Sequence, residues 1–139
     1  MKISIIAVGR ISNSFEAELV NRYIYRFNKL NKLIGLSLMQ IIEVDDKKYK
    51  TKKQQAKKIL EIIKTETNIV IFDQKGKSIS SENFTKYLIN QRDGGVKKLI
   101  FIIGGAFGLC RSLYKESNEI FSLGNMIWPH FLVRVMVAE

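Results

Sequence analysis

Five consecutive large apolar residues, Leu99-Ile100-Phe101-Ile102-Ile103, run directly into Gly104 and Gly105. The β-branched and aromatic content of this run, and the glycines that close it, make it a short buried strand rather than a helix. A strand without polar alternation must be covered on both faces, which is the habit of parallel sheets enclosed by helices. The rest of the chain agrees. Residues 3–8 form an apolar run closed by Gly9, residues 36–44 are rich in Leu, Ile and Met, and residues 69–72 read Ile-Val-Ile-Phe ahead of a turn at residues 73–77. Residues 121–128 read as a short strand followed by a loop.

Helical spacing fills the gaps. Asn13 with Glu16 three residues on is a capping-box start, and Phe15, Leu19, Tyr23 and Phe27 then recur every four residues as one apolar stripe. Thr51 and Gln54 open a second helix to about Lys64, with Ile59, Leu60, Ile62 and Ile63 inside. Ser80 or Ser81 opens a third, carrying Phe84, Tyr87 and Leu88. Residues 112–119 form a fourth, and Pro129 suits the first turn of a last helix over 131–139. Strands alternating with helices give an α/β fold with a mostly parallel sheet flanked by helices. Nothing marks a linker or repeat, so the 139 residues read as one domain, 1–139.

Charge narrows the partner. The 23 Lys and Arg outnumber the 13 Asp and Glu, a net charge of +10, which favours a polyanion, most simply a nucleic acid. Lys47, Lys48, Lys50, Lys52, Lys53, Lys57 and Lys58 concentrate it. A cationic helix start opposes the helix dipole, so this cluster is either a solvated face or a phosphate-binding one. One cysteine and one histidine exclude an internal disulfide and a zinc cluster. No metal is expected. No apolar run reaches the ~20 residues of a membrane span, and no signal peptide opens the chain, so the expectation is a cytoplasmic protein.

Three loops are placed for chemistry, because ligands in open α/β sheets bind beyond the carboxyl ends of the strands. They follow Phe72, follow Ile103 as Gly104-Gly105-Ala106-Phe107-Gly108, and precede Pro129. Gly-Gly-x-x-Gly is neither the dinucleotide fingerprint nor a P-loop. His130 is the single histidine, the side chain that ordinarily titrates near neutrality. After a proline it is either a structural helix-start residue or the candidate catalytic residue; Arg134, four residues on and on the same helix face, is either a surface or paired arginine or an anion clamp that joins it in catalysis. Trp128 and Phe131 fit either a core or an adenine pocket. Cys110, beside the glycine loop, reads as an inert buried thiol.

Four segments together carry a resemblance: residues 1–9; Phe72-Asp73-Gln74-Lys75-Gly76-Lys77; residues 101–109, with Ile103-Gly104-Gly105-Ala106-Phe107-Gly108; and residues 122–139, with Trp128-Pro129-His130-Phe131-Leu132-Val133-Arg134-Val135. In this order they resemble the ribosomal RNA large subunit methyltransferase H family, minimal members of the SPOUT class. The resemblance implies a C-terminal trefoil knot, S-adenosylmethionine as cofactor, a homodimer, and N3-methylation of a pseudouridine in 23S rRNA of the ribosome. It implies that Phe72, Gly104, Leu123, Gly124, Asn125, Met126, Ile127 and Trp128 hold the cofactor. The family also continues past the Val-Ala-Glu that ends this sequence, with a helix and a Tyr-His tail. The alternative expectation is therefore a truncated, catalytically inactive RNA-binding homologue.

Overall fold

The computed structural model describes residues 1–63 and 67–139. Strands and helices alternate as β1 (Lys2–Val8), α1 (Phe15–Leu30), β2 (Gln40–Val44), α2 (Lys52–Ile62), β3 (Thr67–Ser78), α3 (Ser81–Asp93), β4 (Lys98–Ile103), α4 (Arg111–Glu116), β5 (Glu119–Ser122) and α5 (His130–Ala138). All five strands are parallel, in the order β2-β1-β4-β3-β5. The apolar run that opened the sequence reading is the central strand. Phe101 sits between Ile5 of β1 and Val70 of β3.

Side chains alternate across this sheet with the period of two that a strand imposes. Ile3, Ile5, Ala7, Val70, Phe72, Leu99, Phe101 and Ile103 face one layer, formed by α1, α3 and α5. Ile6, Val8, Ile69, Ile71, Ile100 and Ile102 face the other, formed by α2 and α4. In the first layer Phe72, Phe84, Phe101, Phe121 and Tyr87 meet edge-on or tilted, with neighbouring ring centroids 5.1–6.3 Å apart. Such pairs contribute ~0.5–1.5 kcal/mol each beyond burial.

Several boundaries differ from the sequence reading. The cap of α1 is Ser14, whose Oγ accepts the Ala17 N–H at 3.2 Å, and Asn13 takes the left-handed conformation before it. The buried stripe of α1 is Ala17, Val20, Ile24 and Phe27 with Tyr23, whereas Phe15 is 84% exposed and Leu19 also faces outward. A pure four-residue repeat drifts around the helix, and the i, i+3, i+7 set stays on one face. In α2 the Thr51–Gln54 capping box forms, and Ala56 and Ile59 are buried while Leu60 is exposed; the expected end at Lys64 lies outside the described residues. Strand β2 begins at Gln40 rather than Leu36. Helix α4 stops at Glu116, since Asn118 docks β5 against β3 by accepting the Ile69 N–H and donating its own N–H to the Ile69 carbonyl.

The turn expected at residues 73–77 is instead part of β3. Phe121 pairs with both Phe72 and Lys77, so residues 73–76 bulge from the ladder. Gly76 makes this possible. A Cβ there would lie 2.7 Å from the Ile120 carbonyl oxygen, closer than any side chain allows.

Candidate functional site

Because every strand points the same way, their carboxyl ends share one edge, and a cavity of about 550 Å³ opens there beside β3, β4 and β5. Phe72 and the bulge residues Asp73, Gln74 and Lys75 form one wall. Ile103, Gly104, Gly105, Gly108 and Leu109 form the second. Ser122, Leu123, Gly124, Met126, Ile127 and Trp128, with Pro129, His130 and Val133, form the third. The three loops chosen from sequence thus converge.

Each wall is pinned by polar contacts. Asp73 is the only carboxylate among the described lining residues. Its Oδ1 accepts the Lys75 N–H at 2.8 Å and its Oδ2 accepts the Tyr114 hydroxyl at 2.6 Å. Burial, then the bond to Asp73, push the Tyr114 phenol well above its usual range, so this proton stays on the oxygen. The Gly108 N–H donates to the Gly105 carbonyl at 3.0 Å and closes a tight turn. The Ser122 hydroxyl donates to the Gly124 carbonyl at 2.7 Å. The Gln74 amide donates to the Asn125 carbonyl at 3.3 Å and so ties the first wall to the third. Asn125 departs from expectation: it is exposed, does not line the cavity, and contributes this backbone oxygen instead.

His130 lines the cavity at the start of α5. Burial first, then the Arg134 charge, lower its proton affinity, and Asp46 partly offsets them. It is neutral at neutral pH and can accept a proton. The folded-state pKa lies below the unfolded one, so His130's contribution to stability is complete above pH ~6.5 and is lost as pH falls through the folded value. His130→Gln should therefore flatten the acid side of the stability curve. Melting temperatures of both proteins between pH 7.5 and 5 check this, and parallel curves would refute it.

Arg134 stands apart from the expected anion clamp. Its side chain is 0% exposed and is absent from the cavity wall. One terminal nitrogen donates to Glu43 Oε1 at 3.1 Å and the other to the Val8 carbonyl, while Nε has no partner. Glu43 Oε1 also accepts the Ile11 N–H at 3.1 Å. The guanidinium points at the sheet, where a buried charge must be paired, and it fastens α5 to the ends of β1 and β2. Cys110 also departs from expectation. It is half-buried, and the Ser112 hydroxyl and backbone lower its thiol pKa.

The whole chain, residues 1–139, matches the family model described as Predicted SPOUT methyltransferase. This chain belongs to the SPOUT methyltransferase family. Proteins named ribosomal RNA large subunit methyltransferase H are similar to it throughout. That of Rhizobium etli is 37% identical over 143 residues, and that of Dinoroseobacter shibae 37% over 139 residues. Each alignment covers 100% of this chain and 89% of the relative. A third, from Ruegeria sp. (strain TM1040), is 38% identical with the same coverage.

For this SPOUT methyltransferase, sequence reasoning missed two supporting residues. Glu43 interrupts the apolar run Ile41-Ile42-Glu43-Val44, and a lone acid inside a strand signals a buried partner. Tyr114 carries no such signal, since only the fold brings it to Asp73, 41 residues away. None of the described helices is long and apolar enough to cross a membrane.

Proposed function

We propose that this chain uses S-adenosylmethionine to methylate N3 of a pseudouridine in 23S rRNA of the large ribosomal subunit. The observation that carries the reading is the convergence of Phe72, Gly104, Leu123, Gly124, Met126, Ile127 and Trp128 on one cavity from three distant segments. The names of the relatives supply the class of acceptor. A knotted C-terminal segment and a cytoplasmic setting belong to the same reading.

The residues present fit such a cofactor. Its volume suits a nucleoside-sized ligand. Phe72, Leu123, Ile127 and Trp128 offer apolar walls, and the backbone at Gly124 has open space where a side chain would stand. Asp73 supplies one negative charge toward a cationic ligand. S-adenosylmethionine supplies a methyl group already activated by its positively charged sulfur. The protein then has mainly to align two reacting atoms and exclude water. The acceptor nitrogen must also shed a proton, and in this reading His130 takes it, supported by its position on the cavity wall and its neutral form. Arg134 positions α5, and thereby His130, rather than touching substrate.

The cavity is open on one side. Met126 and Ile127 are 67% and 79% exposed, and Leu132 and Met136 of α5 face outward, as do Phe15 and Leu19 of the neighbouring α1. A second copy of the chain, covering these side chains, would complete the site as a homodimer.

Calorimetry with S-adenosylmethionine and with its demethylated product tests the cavity. Transfer of labelled methyl to ribosomes from cells lacking the modification tests the reaction. Heat with the donor and label in 23S rRNA are expected. No heat with folded protein would end the proposal, and heat without label would leave the non-catalytic RNA-binding homologue.

A further inference from the structure

The geometry points to a docking face for RNA phosphates along the start of α2, beside the cavity. This rests on the reading above that the acceptor is an RNA. Residues 47–58 hold seven lysines and no acidic residue. Some cations elsewhere meet carboxylates: Lys86 with Glu82 at 2.7 Å, Arg92 with Asp93 at 2.7 Å, Arg10 with Asp45 at 3.4 Å; what sets residues 47–58 apart is how many cations they crowd into one stretch. Among the seven, Lys58 reaches Glu61 at 3.5 Å and Lys48 lies over the Tyr49 ring. Lys47, Lys50, Lys52, Lys53 and Lys57 make no ion pair among the described residues.

Helix stability does not account for them. The first turn of α2 holds no acid, and the neutral Thr51–Gln54 capping box secures the helix start against its own cations. Lys53 and Lys57 flank a shallow groove shared with Ala56, Leu60 and Glu61 of α2 and Ser112 of α4, and Glu61 is the one carboxylate on it among the described residues. The face also adjoins the proposed active site. Ser112, on that same groove, lies three residues after Leu109 of the cavity wall. The 11-residue helix is about 16 Å long. Unpaired ammonium groups along that length are point charges on flexible stems, suited to phosphates spaced along a backbone.

The test is the quadruple variant Lys50→Gln, Lys52→Gln, Lys53→Gln and Lys57→Gln, titrated with ribosomal large subunits between 50 and 200 mM salt. Each lost phosphate contact lowers the slope of log K against log salt by ~0.7–0.9. The slope should fall by about 3 and the low-salt affinity by roughly 10²-fold. The affinity for S-adenosylmethionine by calorimetry should be unchanged. An unaltered slope in a variant with intact helical circular dichroism overturns the proposal. So does binding of the unaltered chain to phosphatidylserine vesicles as tight as to the subunit with the same lysine dependence, which would assign the face to a membrane. Donor binding reads the cavity separately: lysine-dependent subunit binding without donor heat supports this face while ending the methyltransferase reading.

Discussion

Replacing Gly104 with valine will weaken S-adenosylmethionine binding at least tenfold while the chain remains folded. A Cβ at Gly104 lies 3.1 Å from the Leu109 side chain and 3.2 Å from the Gly108 carbonyl carbon. The first contact can yield by a rotation. The second belongs to the backbone of the hydrogen-bonded turn between Gly105 and Gly108, which is a wall of the cavity. Valine's methyls must move that turn. Overpacking of this kind costs about 1–3 kcal/mol, and where the displaced turn is the ligand's wall the same energy appears as a 10- to 100-fold weaker complex. The substitution thus acts through the loop, rather than by filling the space a ligand uses. Gly104→Ala should show a smaller loss in the same direction. Calorimetric affinities and thermal melts of the two variants decide it: donor affinity unchanged in both, with melts near the parent's, would remove the glycine loop from the site.

The second large effect concerns the core. Glu43→Ala should lower stability by about 3 kcal/mol, the low end for breaking a buried ion pair, because the Glu43 side chain keeps 27% exposure. For a chain of this size that corresponds to a fall of roughly 10 °C in melting temperature. The loss arises from Arg134, left fully buried with the Val8 carbonyl as its one hydrogen-bond acceptor among the described residues. Arg134→Met made together with Glu43→Ala removes the stranded charge and preserves much of the side-chain volume. The double variant should therefore melt above the single one. A double variant that melts below Glu43→Ala would show that Arg134 contributes chiefly through its bond to Val8.

Much of this was legible before the fold. The apolar run at residues 99–103 announced a central strand because only a strand covered on both faces tolerates such a sequence. Three loops were placed by one rule, that parallel strands deliver their carboxyl ends to a common edge. The illegible parts depended on tertiary partners. The bulge at residues 73–76 looks like a turn locally, and becomes strand because β5 lies against Gly76. Arg134 looked available because helix spacing placed it with His130. Its direction was decided by Glu43, 91 residues away. Likewise Phe15 and Leu19 belong to the apolar stripe by spacing alone, and the packing of α1 against the sheet leaves them outside.

Strand order has a consequence for how the protein comes into being. Strand β1 takes its inner neighbour from β4, about 95 residues downstream, and β3 reaches β1 only through that same strand. A growing polypeptide can zip β1 to β2 early, yet its first strand keeps one unsatisfied flank until β4 has been made. Non-local pairing of this kind makes structure late and slow to form. Ordering then comes in one cooperative step, when the last-made of the inner strands slots between the two halves.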